Sequence, residues 1–379
     1  MKAVTHPSQA RNTRRETTLA VGILPLCSVL LALGACSSDP ASPATGTGGT
    51  QSGSGGGSGG TQASGSGGTS GAAGGSSGTA DPNAVVGNFD LRLVAPVPAT
   101  QDSPAVPGFT SLQGVVNTGP QPPSRTLKQT MQEGDCRLLV PSVPFCNPTC
   151  GSAATCVATS LTSNAGICIP EPKSKSAGKV TFTGLTTEAG GSPVALSPDT
   201  MNFYIAGPET KLVFPAFQEG GDVGLMAAGA DVPAFSIMAK GIHLLEVTAA
   251  GPIKLVKDQA MALRWSKAAQ PTQSQIEVSL DISHHGGFKG MITCETADSG
   301  SLDIPAKLIT GLIGLGVAGY PAVSITRKAV GYAQLSTGRV ALSVVSSNEQ
   351  PVVVDGFVSC SEKEPCPTGK TCGDDLVCK

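Results

Sequence analysis

Gln275-Ile276-Glu277-Val278-Ser279-Leu280 places an apolar side chain at every second position and a polar one between them. A period of two marks a strand with one face buried and the other in water. Phe89-Asp90-Leu91-Arg92-Leu93 and Gly178-Lys179-Val180-Thr181-Phe182 repeat the pattern, each bounded by Gly, Pro, Asn or Asp. Working outward, similar runs occur at Phe109–Val116, Cys136–Val140, Met201–Ile205, Val223–Met226, Phe235–Met238, Leu244–Val247, Ile253–Val256, Met261–Trp265, Met291–Cys294, Val323–Ile325, Arg339–Val345 and Pro351–Val358. Runs about ten residues apart with turn residues between them predict an all-β chain whose body is an antiparallel β-sandwich, in one or two sandwiches. One stretch reads as helix. Pro305 to Leu315 opens on a proline suited to a first turn and sets Leu308, Leu312 and Leu315 on one face.

The 379 residues hold 25 Lys+Arg against 27 Asp+Glu, 49 Gly and 12 Cys. Near-neutral charge argues against a nucleic-acid binder, which needs a basic field to displace phosphate counterions. Lys2, Arg11, Arg14 and Arg15 precede Leu19–Leu33, which is uncharged throughout. A helix of that length spans about 22 Å, too short to cross a bilayer, and the stretch reads as a secretory signal peptide. Leu33-Gly34-Ala35-Cys36 resembles the bacterial lipobox, which implies cleavage before Cys36 and acylation of its thiol. Two or more acyl chains hold a protein on a membrane where one does not. The mature chain then has 21 basic and 26 acidic residues, a net of −5, so charge does not draw it to anionic lipid. Between Asp39 and Asp81 lies an uncharged tract rich in Gly, Ser, Thr and Ala. Such a composition predicts a disordered tether with an end-to-end distance of about 35–40 Å.

Without Cys27 in the leader and Cys36, ten cysteines remain, an even number that points to disulfides in an exported chain. Cys146, Cys150, Cys156 and Cys168 form one cluster, and Cys360, Cys366, Cys372 and Cys378 form another. Both keep five residues between second and third cysteine and a Thr before the third (Thr155, Thr371). Each resembles a small four-cysteine knot of the C-P-x-G-x-x-C type, quoted in full at Cys366–Cys372. If each cluster closes on itself, first to third and second to fourth, the pairs are Cys146–Cys156, Cys150–Cys168, Cys360–Cys372 and Cys366–Cys378. Cys136 and Cys294 are then left to join across the main fold. The rival scheme is Cys294–Cys360. The chain thus divides into a leader (1–35), a lipidated Cys36 with its linker (36–81), an N-terminal β region (82–145), a four-cysteine module (146–170), a β-sandwich domain (171–359) and a second module (360–379).

Chemistry-bearing motifs are few. After the leader only His243, His284 and His285 remain. Asp281-Ile282-Ser283-His284-His285-Gly286-Gly287 resembles the Ser-His-His-Gly turn of metallo-β-lactamase-like hydrolases, but the upstream H-x-H-x-D-H cluster of those enzymes is missing. Asp281, His284 and His285 are therefore weak metal candidates in what reads as a structural turn. Gly314-Leu315-Gly316-Val317-Ala318-Gly319 fits G-x-G-x-x-G, yet Tyr320-Pro321 follows where a helix is required and Arg339 stands near the place of the acid, so no cofactor is expected. Asp222, Asp231, Asp281, Asp298 and Asp303 fall in loops or at strand ends without the regular spacing of a calcium loop.

Glu133–Pro141, Pro144–Cys150, Leu280–Gly287 and Asp298–Ala306 together resemble a family of uncharacterised exported lipoproteins from myxobacterial-type bacteria with a β-sandwich body and four-cysteine knots. The resemblance spans most of residues 85–379 and implies export and architecture without an activity. Ser37 after the lipid site resembles the outer-membrane sorting pattern of such bacteria. The expectation is a non-enzymatic protein of the outer membrane or cell surface, held to the membrane by its lipid, serving adhesion or binding of a surface protein or polymer. The alternative is an extracytoplasmic hydrolase or metal-binding protein with a site in the sandwich loops near Asp281, His284 and His285.

Overall fold

A computed structural model describes residues 81–100, 103–248 and 251–379. The expected leader, Cys36 and the linker to residue 80 lie outside these residues. The chain runs β1 (Val85–Val94), β2 (Phe109–Asn117), β3 (Leu127–Glu133), β4 (Cys136–Pro141), β5 (Ala154–Ala158), β6 (Gly166–Pro170) and β7 (Ser174–Lys175). It continues with β8 (Val180–Thr183), β9 (Val194–Leu196), β10 (Phe203–Ile205), β11 (Asp222–Ala227), β12 (Phe235–Lys240), β13 (Ile253–Leu255) and β14 (Met261–Arg264). The last elements are β15 (Gln275–Asp281), β16 (Met291–Ala297), β17 (Ser301–Ile304), α1 (Ala306–Gly314), β18 (Ala322–Leu335) and β19 (Gly338–Val354).

A large sheet orders its strands β10-β2-β1-β19-β18-β15-β16-β4-β3, with β7 on β2 and β13 on β19. A small sheet, β12-β11-β8-β9, and two ribbons, β14-β17 and β5-β6, complete the all-β body. Pairing is antiparallel except where β1 and β13 run parallel to β19. Strands before and after the Cys146–Pro170 module share the large sheet.

The spine is the β18–β19 hairpin, paired from Ala322↔Pro351 to Leu335↔Gly338 around a two-residue turn, Ser336-Thr337. Its inward residues serve two cores in succession. Ala329, Val340, Leu342 and Val344 join Phe89 and Leu91 of β1 against Phe182, Leu225 and Ile237 of the small sheet. Val323, Ile325, Val352 and Val354 join Ile276, Val278, Leu280 and Ile292 against Leu263, Ile304 and the buried face of α1. That helix begins after Pro305, where a missing N–H costs nothing, and buries Leu308, Ile309 and Leu312. Nine residues are too few for a helix stable alone, so its packing holds it.

Gly114 faces Phe89 across β2 and β1, and a Cβ there would run into the Phe89 ring. That ring is already fixed between Tyr204 and Phe182, at centroid distances of 5.3 and 6.0 Å. Gly114→Val should therefore cost about 2 kcal/mol or more in urea unfolding, and a variant as stable as the parent would show that the Phe89 site can relax.

The structure adds short strands β5, β6, β7, β9 and β17 to the sequence reading and departs from it in three further places. Leu244–Val247 forms no strand beyond a single bridge from Val247 to Trp265, because side chains take its backbone groups. Arg327 donates to the carbonyls of His243 and Leu244, and Leu245 donates to Ser346 Oγ. Arg339–Val345 and Pro351–Val358 are largely one strand, since β18 goes on pairing through the polar Asn348–Gln350 interval. β3 has no apolar alternation and exists through its hairpin with β4 around Gly134-Asp135, where Gly134 takes φ 56°.

Candidate functional site: the open face of the large sheet

The polar half of the alternation builds a surface of its own. Opposite the two cores, aligned positions form rows across the strands: Gln113, Asp90, Ser343 and Val330; Ser111, Arg92, Val345, Lys328 and Gln275; Ser347, Thr326, Glu277 and Glu295; Ser324, Ser279, Thr293, Arg137 and Gln132. Successive members stand about 4.8 Å apart, the spacing of strands. Nearly all are half-buried or exposed, with Val345 the buried exception.

Side chains on this face hold one another. Asn88 Nδ2 donates to Asp90 Oδ1 at 2.8 Å and Ser343 Oγ to Asn88 Oδ1 at 2.9 Å. Arg92 Nη1 donates to Ser347 Oγ at 3.3 Å, and Ser347 and Thr326 share a hydroxyl contact of 2.9 Å. Lys328 Nζ reaches Glu277 Oε2 at 2.8 Å. Crowding raises the Asp90 carboxyl, and the Asn88 hydrogen bond and the Arg92 charge offset only part of the rise. Phe203 and Ile205 on the edge strand β10 and Tyr332 on β18 add exposed apolar groups, with Arg339 over the Tyr332 ring at 5.6 Å. The face is hydroxyl-rich, and its side chains are fixed on strands.

Beneath the sheet, where the two cores meet, lies a buried ion pair. Arg327 alternates inward with Ile325 and Ala329, and both it and Asp298 are fully buried. Arg327 Nε and Nη2 donate to Asp298 at 2.6 and 3.0 Å, Nη1 to the carbonyls of His243 and Leu244 at 3.2 Å, and Nη2 to Ser266 O at 2.5 Å. Asp298 also accepts Trp265 Nε1 at 2.9 Å and Ser274 Oγ at 2.7 Å. Every guanidinium donor and both carboxylate oxygens are engaged. Burial raises the Asp298 carboxyl, but the hydrogen bonds from Arg327, Ser274 and Trp265 outweigh it and hold the group below its ordinary value. The sequence places Asp298 only among the acids in loops or at strand ends. Its signal was a lone arginine on the apolar parity of Val323, Ile325 and Ala329.

The Asp281–His285 segment, which holds the candidates Asp281, His284 and His285, closes into a turn. Asp281 Oδ1 accepts the Ser283 amide at 2.8 Å and its hydroxyl at 3.0 Å, and Ser283 Oγ accepts the Lys289 amide at 2.9 Å. The rings of His284 and His285 lie against one another, tilted by 55° with centroids 3.9 Å apart, and His285 is exposed at φ 62°. Among the described residues, groups of three metal-capable side chains occur only within the two cysteine clusters. The other loop acids also have protein partners: Asp222 pairs with Lys240, Asp303 with Arg264, and Asp231 accepts the Ser176 amide.

All ten cysteines are bridged. Cys146–Cys156 and Cys150–Cys168 close the first module, Cys360–Cys372 and Cys366–Cys378 the second, and Cys136–Cys294 ties β4 to β16. Cys294 and Cys360 therefore have different partners. Shallow clefts by Asp258, Lys307 and Thr310 and by Thr187, Glu209 and Lys211 include none of the histidines. No helix among the described residues is long and apolar enough to cross a membrane. No protein-family model and no curated protein matches the chain.

Proposed function

We propose that this chain is an exported binding protein, anchored through lipid on Cys36 at the outer membrane or cell surface, whose open sheet face engages a surface protein or polymer. The observation that carries the reading is the ordered polar face running from β10 to β3. Five disulfides place the folded chain in an oxidising environment. Such bridging fits a surface position, and the composition of residues 37–81 fits a spacer between lipid and body.

Arg92→Glu, Lys328→Glu and Arg137→Glu together reverse three charges across the face without touching either core. Labelled full-length chain carrying them should bind cells lacking their own copy about tenfold more weakly than the parent, as expected when central contacts of an interface are lost. Lys240→Glu on the small sheet should bind like the parent. Equal binding by the triple variant, with its melting unchanged, would remove the face from the function. Incorporation of labelled palmitate that disappears in Cys36→Ala tests the anchor separately.

A further inference from the structure

The two disulfide modules share a bridging plan but differ at their surfaces. Residues 360–379 include seven charged side chains, and this module is bonded to the body through Gly319, which donates to Asp375 O and accepts from Ser359. By contrast, the chain from Leu138 to Pro170 has no charge at all. On that uncharged module Val143, Phe145 and Ile167 are 90%, 71% and 55% exposed. Phe145 bridges to Ala165 beside β6, which sets Ile167 on the same side, one alternate position further along. Single exposed apolar side chains are ordinary, but Phe145 and Ile167 share one side of the module's entry, and Val143 lies two positions before Phe145 on the same charge-free stretch.

We propose that the Cys146–Pro170 module docks on a lipid bilayer, with Val143, Phe145 and Ile167 entering the boundary between headgroups and acyl chains. This second membrane contact rests on the lipid-anchored reading given above. Charge favours a bilayer as the occupant. The mature chain is net negative and is repelled by an anionic leaflet as a whole, whereas residues 138–170 carry no charge and the one carboxylate held against the module, Glu171, is bonded to Thr155 at its far end from Phe145 in sequence. Chain length favours it too. Forty-four residues separate Cys36 from Asp81, so the body is tied at roughly millimolar effective concentration to the bilayer holding the lipid. A weak contact is then enough. The two bridges fix the patch beforehand, so little ordering entropy opposes insertion.

The test uses the mature-length chain from residue 36 with Cys36→Ala, so that neither the leader nor an acyl group contributes, and vesicles of phosphatidylethanolamine and phosphatidylglycerol. Its floated fraction should fall about tenfold in Val143→Ser/Phe145→Ser, as loss of apolar insertion requires. Phe357→Ser/Val358→Ser, beside the other module, should leave it unchanged. Phe145→Trp gives an independent readout, because the single native tryptophan, Trp265, is buried and constant. Its emission should shift to the blue with vesicles and be quenched by brominated lipid. Emission that stays water-like, or flotation indifferent to the serine pair, overturns the proposal. So does self-association of the chain that the serine pair abolishes without any vesicle effect, which would assign the patch to a second copy. Wild-type chain that partitions into detergent while the vesicle tests fail keeps the anchor and removes only the docking.

Discussion

Arg327→Met should destabilise the protein by about 3–5 kcal/mol, because it leaves the Asp298 carboxylate buried without its counter-charge. The loss does not come from a strong net attraction. A buried pair spends most of its Coulombic gain on desolvation, and a well-packed apolar replacement of both partners is often neutral. Arg327→Met with Asp298→Leu should therefore recover most of what the single variant loses, although Trp265 and Ser274 then lack their acceptor and keep part of the cost. Urea unfolding of both single variants and the double variant decides the matter, and simply additive losses would contradict the coupling. The pH dependence follows from the same contacts. Asp298 is held below its ordinary value, so its contribution is fully present above the unfolded carboxylate pKa of about 3.9 and is lost as pH falls through the lowered folded value. The double variant should lack that part of the acid limb.

The ion pair also shows where reading the sequence stops. The alternation at residues 275–280 and 89–93 is local, and it became β15 and β1 because one buried face is enough to fix a strand. The helix at Pro305–Leu315 was legible for a similar reason: proline, spacing and length all lie within one segment. The partnership of Arg327 with Asp298 joins residues from separate segments, and the Val323–Ile325 run ended before the arginine's parity could be noticed. Leu244–Val247 was misread for a related cause. Its apolar content is that of a strand, but the carbonyls of Leu244 and of His243 just before it are claimed by an arginine 83 and 84 residues further on. The open face sits between these cases. Polar positions such as Asp90, Arg92, Glu277 and Ser279 were visible in their own strands, whereas the rows depend on a strand order that places β1 beside β19 and β4 beside β16. Nothing within a single strand encodes its neighbours in such an order.

That strand order makes Cys136–Cys294 the bridge with the largest expected effect. It joins directly paired residues of β4 and β16 across a sequence separation of 158, against 10 to 18 for the module bridges. In the chain-entropy account the cost of closing a loop in the unfolded state grows with the logarithm of its length. Removing this bridge should then cost about 5 kcal/mol, and removing a module bridge about 3. Cys136→Ala/Cys294→Ala tests the difference against Cys146→Ala/Cys156→Ala under the same denaturant. The location of the damage should differ as well. β4 and β3 end the large sheet, and α1 packs on β4 and β16, so amide protection in these elements should fall in the first variant while the β1–β2 end stays protected. The second variant should loosen the β5–β6 ribbon alone. Losses of equal size and place in the two variants would mean that the long loop is already constrained in the unfolded chain, leaving the bridge as one local contact among many.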